Sequence, residues 1–262
     1  KVPNTSATAA SSGSDLNGAA ARAAAATLRG RLAEFAAARH GVPASSTSFA
    51  GGEVHLGDRV IPFAQLVREA YAARISLSAT GYYRTPDIHW DAQRWQGRPF
   101  YYFAWGAAVA EVALDTLTGE SRLLRVDILH DVGSSLNPAL DIGQVEGGFL
   151  QGAGWLTSET LWWDERGRLR THAPSTYKIP TARDWPAEAH VRLLADAPNS
   201  EATVHRSKAV GEPPLMLAIA VHQALCDAVA SCGPPGRVVE LDAPAHPEAL
   251  LRAVKKIRGG LS

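Results

Sequence analysis

The chain has 262 residues, 26 basic and 26 acidic, and therefore no formal net charge. That balance argues against a nucleic-acid or anionic-membrane partner, and the longest apolar run, residues 215–225, is too short to span a bilayer. The length is enough for one large or two modest domains with a good core.

In chain order, residues 1–14 are small and hydroxylated, a composition that suits a flexible lead-in but also lets backbone N–H and hydroxyl donors approach a ligand closely. Asp15 is expected to cap an alanine-rich helix over residues 16–38, with Gly41 as its stop. Short strands follow at 47–50, 54–56 and 59–61 around turns at Gly51, Gly52 and Gly57, then an amphipathic helix over 63–74 and a strand at 75–79. The loop GYYRTP holds Arg84, which suits an anion clamp or, more commonly, an ion pair with a neighbouring acid.

Residues 100–114 and 123–132 form a predicted hairpin that ends at His130 and Asp131. None of the nine histidines falls at metal-binding spacing, so His130 is read as a structural strand-end residue. Asn137 and Pro138 open a helix whose segment 142–156 carries five glycines, each costing about 1 kcal/mol against alanine. Two compensations are open: close approach of a ligand, with Gln144 as a neutral donor and acceptor, or helix packing on the small residues. A second hairpin is expected over 155–163 and 168–172, then the proline-bounded loop APSTYKIP, a strand at 190–194 and a polar loop at 198–204. A helix from Pro213 to a stop at Gly233 and a short helix over 246–257 close the chain.

Cys226 and Cys232, six residues apart on one predicted helix, lie on different faces, which favours free thiols in a reducing, cytoplasmic setting. The chain opens on Lys1, has its single methionine at Met216 and shows no signal segment, so it reads as a piece of a longer polypeptide.

The chemically unusual stretch is SKAVGEPPLML, residues 207–217. Pro213 and Pro214 suit a first helical turn and put Glu212 at its cap, a place where Ser, Thr, Asp or Asn is the ordinary choice. A helix terminus favours the ionised carboxylate and apolar surroundings the neutral one, so the proton is movable, as a general base requires. The alternative is a surface acid stabilising a helix start.

Five segments, KVPNTSATAASSGSDLNG, SLSATGYYRTP, DVGSSLNPALDIGQVEGGFLQG, APSTYKIP and SKAVGEPPL, together and in this order resemble the C-terminal part of the molybdenum-binding region in the xanthine oxidase and aldehyde oxidase family of molybdenum hydroxylases. The forms of APSTYKIP and SKAVGEPPL are those of the xanthine dehydrogenase branch. The fold expected is α+β, mixed strands and helices in two subdomains of a molybdopterin-binding domain, with a passage between them near residues 136–143.

The resemblance implies that Glu212 takes a proton from a molybdenum-bound hydroxide. The hydroxide oxygen then attacks a purine ring carbon, converting hypoxanthine to xanthine and xanthine to urate, while hydride passes to the sulfido ligand. It implies that Ala9 and Ala10 wall the substrate space, with the Ala10 backbone near the molybdenum. Thr8, Ala9, Ala10, Ser11, Gln144 and Gly211 would hold the molybdopterin cofactor. Gly13 stands where the animal enzymes carry serine, so no side-chain contact is expected from it, and Lys208 is either near the cofactor or in a structural ion pair. Iron–sulfur clusters and FAD are expected on other parts of a complete, oligomeric enzyme, and the remainder of the molybdenum subunit is expected to supply the missing half of the site. The alternatives are an aldehyde or another N-heterocycle as substrate and, in a different class, a non-catalytic scaffold or small-molecule-binding module.

Overall fold

A computed structural model of the chain describes residues 9–259, which divide into two compact units at Tyr101/Tyr102. Residues 136–143 are internal to the second unit, because Asn137 and Pro138 begin one of its core helices rather than a linker.

The first unit opens with a π-helical turn, Gly13–Gly18, that leads into α1, Ala19–His40. Asp15 lies inside that turn and does not cap the α-helix, whereas Gly41 ends α1 as expected, in the left-handed conformation open to a residue without Cβ. Strands β1 (Thr47–Ala50), β2 (Glu53–Leu56) and β3 (Arg59–Pro62) form an antiparallel meander, and α2 (Phe63–Ala72) follows directly. Alternation places Val54 and Leu56 inward, where they meet Leu32, Ala36, Ile61, Leu66 and Ala70. The strand expected at 75–79 is irregular chain, because no neighbouring strand pairs with it, and a two-stranded hairpin, β4 (His89–Asp91) with β5 (Gln96–Arg98), lies beyond it.

In the second unit β6 (Gly106–Leu114) and β7 (Ser121–His130) form the expected hairpin, with a bulge at Glu111/Val112. Strand β8 (Glu188–Leu193) adds to β7 in parallel after α3 (Pro138–Thr157). Because α3 runs through Thr157, the second hairpin shrinks to the single bridge between Trp163 and Leu169. Residues Pro213–Ala218 form a 3₁₀ helix rather than the first turns of an α-helix, then α4 covers Ile219–Ala230 and α5 Pro247–Ile257. The stretch Pro213–Ala230 is long and apolar enough to cross a membrane by length and composition. In this fold its residues Ala218, Val221, Leu225 and Val229 are buried in the core instead, with Val126, Ile128, Phe149 and Leu250.

Candidate functional site

Glu212 occupies the cap position of the 3₁₀ helix, yet its side chain accepts no capping hydrogen bond from that helix, consistent with an arm too long for the task. It is exposed, with its carbonyl oxygen accepting from the Leu215 N–H at 3.0 Å. Proline at 213 and 214 fixes φ on the far side of the residue.

The chain before Glu212 is wired into the end of β7. The Lys208 N–H donates to Val132 O at 2.8 Å, and Gly133 bridges Ser207. Gly133 has φ +65°, and a Cβ there would lie 2.4 Å from Arg206 O, so only glycine lets the two segments come this close. The Lys208 ammonium meets Asp131 Oδ2 at 2.5 Å, with the two side chains 10% and 6% exposed, while Asp131 Oδ1 accepts the Gly133 N–H at 2.8 Å. Of the two expectations for Lys208, the structural ion pair is the one formed. Ser207 O accepts from Thr203 Oγ1 at 2.6 Å and Asn199 Nδ2 at 3.1 Å, and the Ala209 N–H donates to the Tyr102 hydroxyl at 2.7 Å. His205 and Arg206, at φ 50° and 59°, hold a left-handed turn that non-glycine residues adopt only where their surroundings enforce it.

His130, the last residue of β7, is 1% exposed, and neither ring nitrogen has a hydrogen-bond partner. Burial lowers its pKa from the ordinary 6.5, opposed by the Asp131 charge and assisted by that of Lys208.

Helix α3 brings Gln144 toward this segment. Asn137 Oδ1 caps it by accepting the Leu140 N–H, with Pro138 in the first turn. The two readings of its glycines divide between residues. A Cβ on Gly152 would lie 2.4 Å from Leu215 O and one on Gly148 3.1 Å from Pro214 Cβ, so these two admit the 3₁₀ helix against α3. Gly143 and Gly147 face open space, on either side of the exposed Gln144. Gln144 is one helical turn before Gly148, whose added Cβ would be 3.6 Å from Gly211 O. The fold thus places Gly211, the residue before Glu212, against α3 one turn after Gln144.

Ala9, Ala10 and Ser11 share a tight turn in the first unit, with Ala10 and Ser11 both at φ 53° and the Ser12 N–H and Oγ both donating to Ala9 O. Ala9 and Ala10 are exposed, and Thr8 lies outside the described residues. A cavity of about 1000 Å³ in the first unit is lined by Asn17, Tyr82, Arg84, His89 and Trp90 among others, and by none of the predicted site residues that are among the described residues. Its walls are mostly exposed side chains. Arg84 lines it, and the ion pair expected for Arg84 does not form among the described residues.

Spacing rules gave no warning of Tyr102, Asn199 and Thr203, whose partners are side-chain-to-backbone contacts across a loop. The one available signal was the polar composition of residues 198–204.

Residues 1–186 match the molybdopterin cofactor-binding domain model, and the chain belongs to that family. Within it the similarity is to xanthine dehydrogenases. The chain is 44% identical over 255 residues to xanthine dehydrogenase/oxidase of Gallus gallus, covering 96% of this chain and 17% of that protein. It is 42% identical over 263 residues to xanthine dehydrogenase of Oryza sativa subsp. japonica, covering 97% and 18%. It thus spans less than a fifth of the length of these curated relatives. Among solved structures, quinoline 2-oxidoreductase from Pseudomonas putida 86 superposes with a TM-score of 0.74 at 26% identity, covering 95% of this chain and 31% of that one.

The residues present suit a pterin cofactor in donor type and in room. Gln144 offers an exposed amide, the bare Gly143 and Gly147 put no side chain beside it, and Gly211 leaves the chain before Glu212 slender.

Proposed function

We propose that this chain is the C-terminal part of the molybdenum-binding region of a xanthine dehydrogenase-type molybdenum hydroxylase acting on purines, with Glu212 as its general base. Gln144 and Gly211 would hold the molybdopterin, together with Thr8, Ala9, Ala10 and Ser11, and Ala9 and Ala10 would also wall the substrate space. When bound, the molybdenum cofactor supplies the redox chemistry and the oxygen that reaches the substrate. Glu212 takes up the proton released there. Gln144 fixes the pterin through its amide, and the exposed alanines limit the room beside the reacting ring.

The observation that carries this reading is an exposed glutamate on a hydrogen-bonded backbone whose preceding Gly211 lies against α3 at Gly148, one turn after Gln144. General-base catalysis needs a carboxylate that is accessible and whose backbone does not wander. The purine assignment is supported by the xanthine dehydrogenase forms of APSTYKIP and SKAVGEPPL, and by the identity to xanthine dehydrogenases along nearly the whole chain. The rest of the molybdenum subunit, the iron–sulfur and FAD parts and oligomeric assembly belong to the complete enzyme in this proposal. A reducing, cytoplasmic setting agrees with the free thiols of Cys226 and Cys232.

The test is Glu212→Gln in the complete enzyme. Turnover of xanthine should drop by at least about 100-fold, the usual scale of general-base catalysis, with molybdenum content unchanged. Retained turnover would remove the base assignment. Activity toward aldehydes alone would replace the purine reading with the aldehyde one.

A further inference from the structure

We propose that Lys208, Asp131 and Tyr102 are positioning residues for Glu212, a clamp that sets the place of the base through the backbone just before it. The proposal rests on the reading of Glu212 as general base and adds what holds it there.

Glu212 has a long side chain, so its carboxylate reaches a reproducible place only if its Cα does not move. A shift of about 1 Å in a reacting group can reduce turnover by two orders of magnitude. Between Ser207 and Ala209 every residue is fixed by a partner from another part of the unit. Ser207 O is held by Thr203 and Asn199, Lys208 N by Val132 O, and Ala209 N by the Tyr102 hydroxyl. The Lys208 side chain then turns inward to Asp131, whose other oxygen is bound to Gly133 N. Beyond Ala209 come only Val210 and Gly211 before the base.

The ion pair is the informative member. With its side chains 10% and 6% exposed, it carries a desolvation cost that an apolar pair of similar volume would avoid. Four hydrogen bonds already hold this backbone, so an expensive buried pair is poorly explained by stability alone. What a charged pair adds is directional: it has one low-energy arrangement, whereas an apolar contact permits several. Asp131 also ties that arrangement to the end of β7, a strand paired on both sides, and so to the most constrained backbone in the unit. Tyr102 acts from a different part of the chain on the next residue, so the clamp has two independent arms.

The test compares Tyr102→Phe, which removes the hydroxyl that accepts from the Ala209 N–H, with the paired change Lys208→Met and Asp131→Asn, which removes both charges together. Both are made in the complete enzyme beside Glu212→Gln. The expected result is a turnover number per molybdenum about 10-fold lower for Tyr102→Phe and about 100-fold lower for the paired change, with KM for xanthine unchanged and a larger solvent isotope effect on turnover. Amide exchange across residues 207–216 should quicken in both, a readout that does not depend on activity.

Turnover and molybdenum content falling in parallel, with no change in isotope effect, would make the clamp merely structural and overturn the proposal. Unchanged exchange would overturn it as well. If the paired variant fails to fold, Tyr102→Phe alone decides. A Glu212→Gln enzyme that keeps turnover removes the underlying reading. Clamp variants that keep turnover while Glu212→Gln abolishes it remove the clamp alone.

Discussion

The two units secure their site segments by different means. In the second, one continuous core runs from Val126 and Ile128 of β7 through Phe149 of α3 and Leu225 of α4 to Leu250 and Ile257 of α5. The segments bearing Gln144 and Glu212 are attached directly to it. In the first, the core is a small cluster under α1, α2 and the three-stranded meander, and residues 9–12 include a tight turn closed by Ser12 donating to Ala9 O. The β4–β5 hairpin shows both faces to solvent, with Trp90 50% and Trp95 79% exposed, although an isolated two-stranded hairpin is marginal in water. The lesson is that the second unit fixes the backbone before Glu212 from strand, loop and tyrosine partners of its own, whereas Ala10 and Ser11 stand together in a left-handed turn.

The largest effects should come from deleting core volume in one unit at a time. Phe149→Ala should destabilise the second unit by about 3–5 kcal/mol, since the ring is wholly buried and stacks edge-on against Trp185. Leu66→Ala should cost the first unit about 2–5 kcal/mol. Denaturant unfolding of the chain is expected to show two transitions, each moved by one variant only. A single transition moved by both would show that the division at Tyr101/Tyr102 has no thermodynamic counterpart.

Next in size is Gly152→Ala, expected to cost the second unit about 1–3 kcal/mol by overpacking, because the new methyl group would meet backbone at Leu215 O and the Ala218 side chain at 2.8 Å. The thermal midpoint of the second transition is the measurement.

Acid should separate the units too. His130 is buried, and its folded pKa lies below the ordinary 6.5, so below pH 6.5 the unfolded chain takes up a proton that the folded one refuses. Stability of the second unit therefore falls as pH drops through 6.5 toward the lowered folded value, and is flat with respect to this group above 6.5. In the first unit the Gln65 hydrogen bond, aided by His40 and Arg39, lowers the pKa of Glu69. Its stabilising contribution is present above 4.5 and is lost as pH falls through the lowered value. Melts at pH 7.5 and 5.5 should thus weaken the second transition, and His130→Leu should remove that part of the loss.

How much of this was legible depended on whether a feature was local. The meander and the cap at Asn137 could be read because each needs only its own turn residues or a single side chain. The strand expected at 75–79 failed for want of a partner, and the hairpin at 155–172 lost its first arm to α3, whose C-terminal turns pack Gly152 and Gly154 rather than ending at Trp155. Glu212 was conspicuous because two prolines follow it. An ion pair for Lys208 could be expected, but its partner Asp131 was hidden because the two are 77 residues apart and only the fold brings them together.

The smallest predicted effect bears most directly on why α3 carries so many glycines. Gly143 and Gly147 touch nothing with a Cβ in place, and both are exposed, so packing gives no reason for them. Alanine at either position should raise the stability of the second unit by up to about 1 kcal/mol through helix propensity. If their bareness serves the approach of a pterin to Gln144, the same variants should lower molybdenum content in the complete enzyme even as the unit becomes more stable. Gly152→Ala supplies the opposite pattern, a loss of stability from a glycine used for packing. A more stable enzyme with undiminished molybdenum would mean that the open face of α3 is not where the cofactor lies.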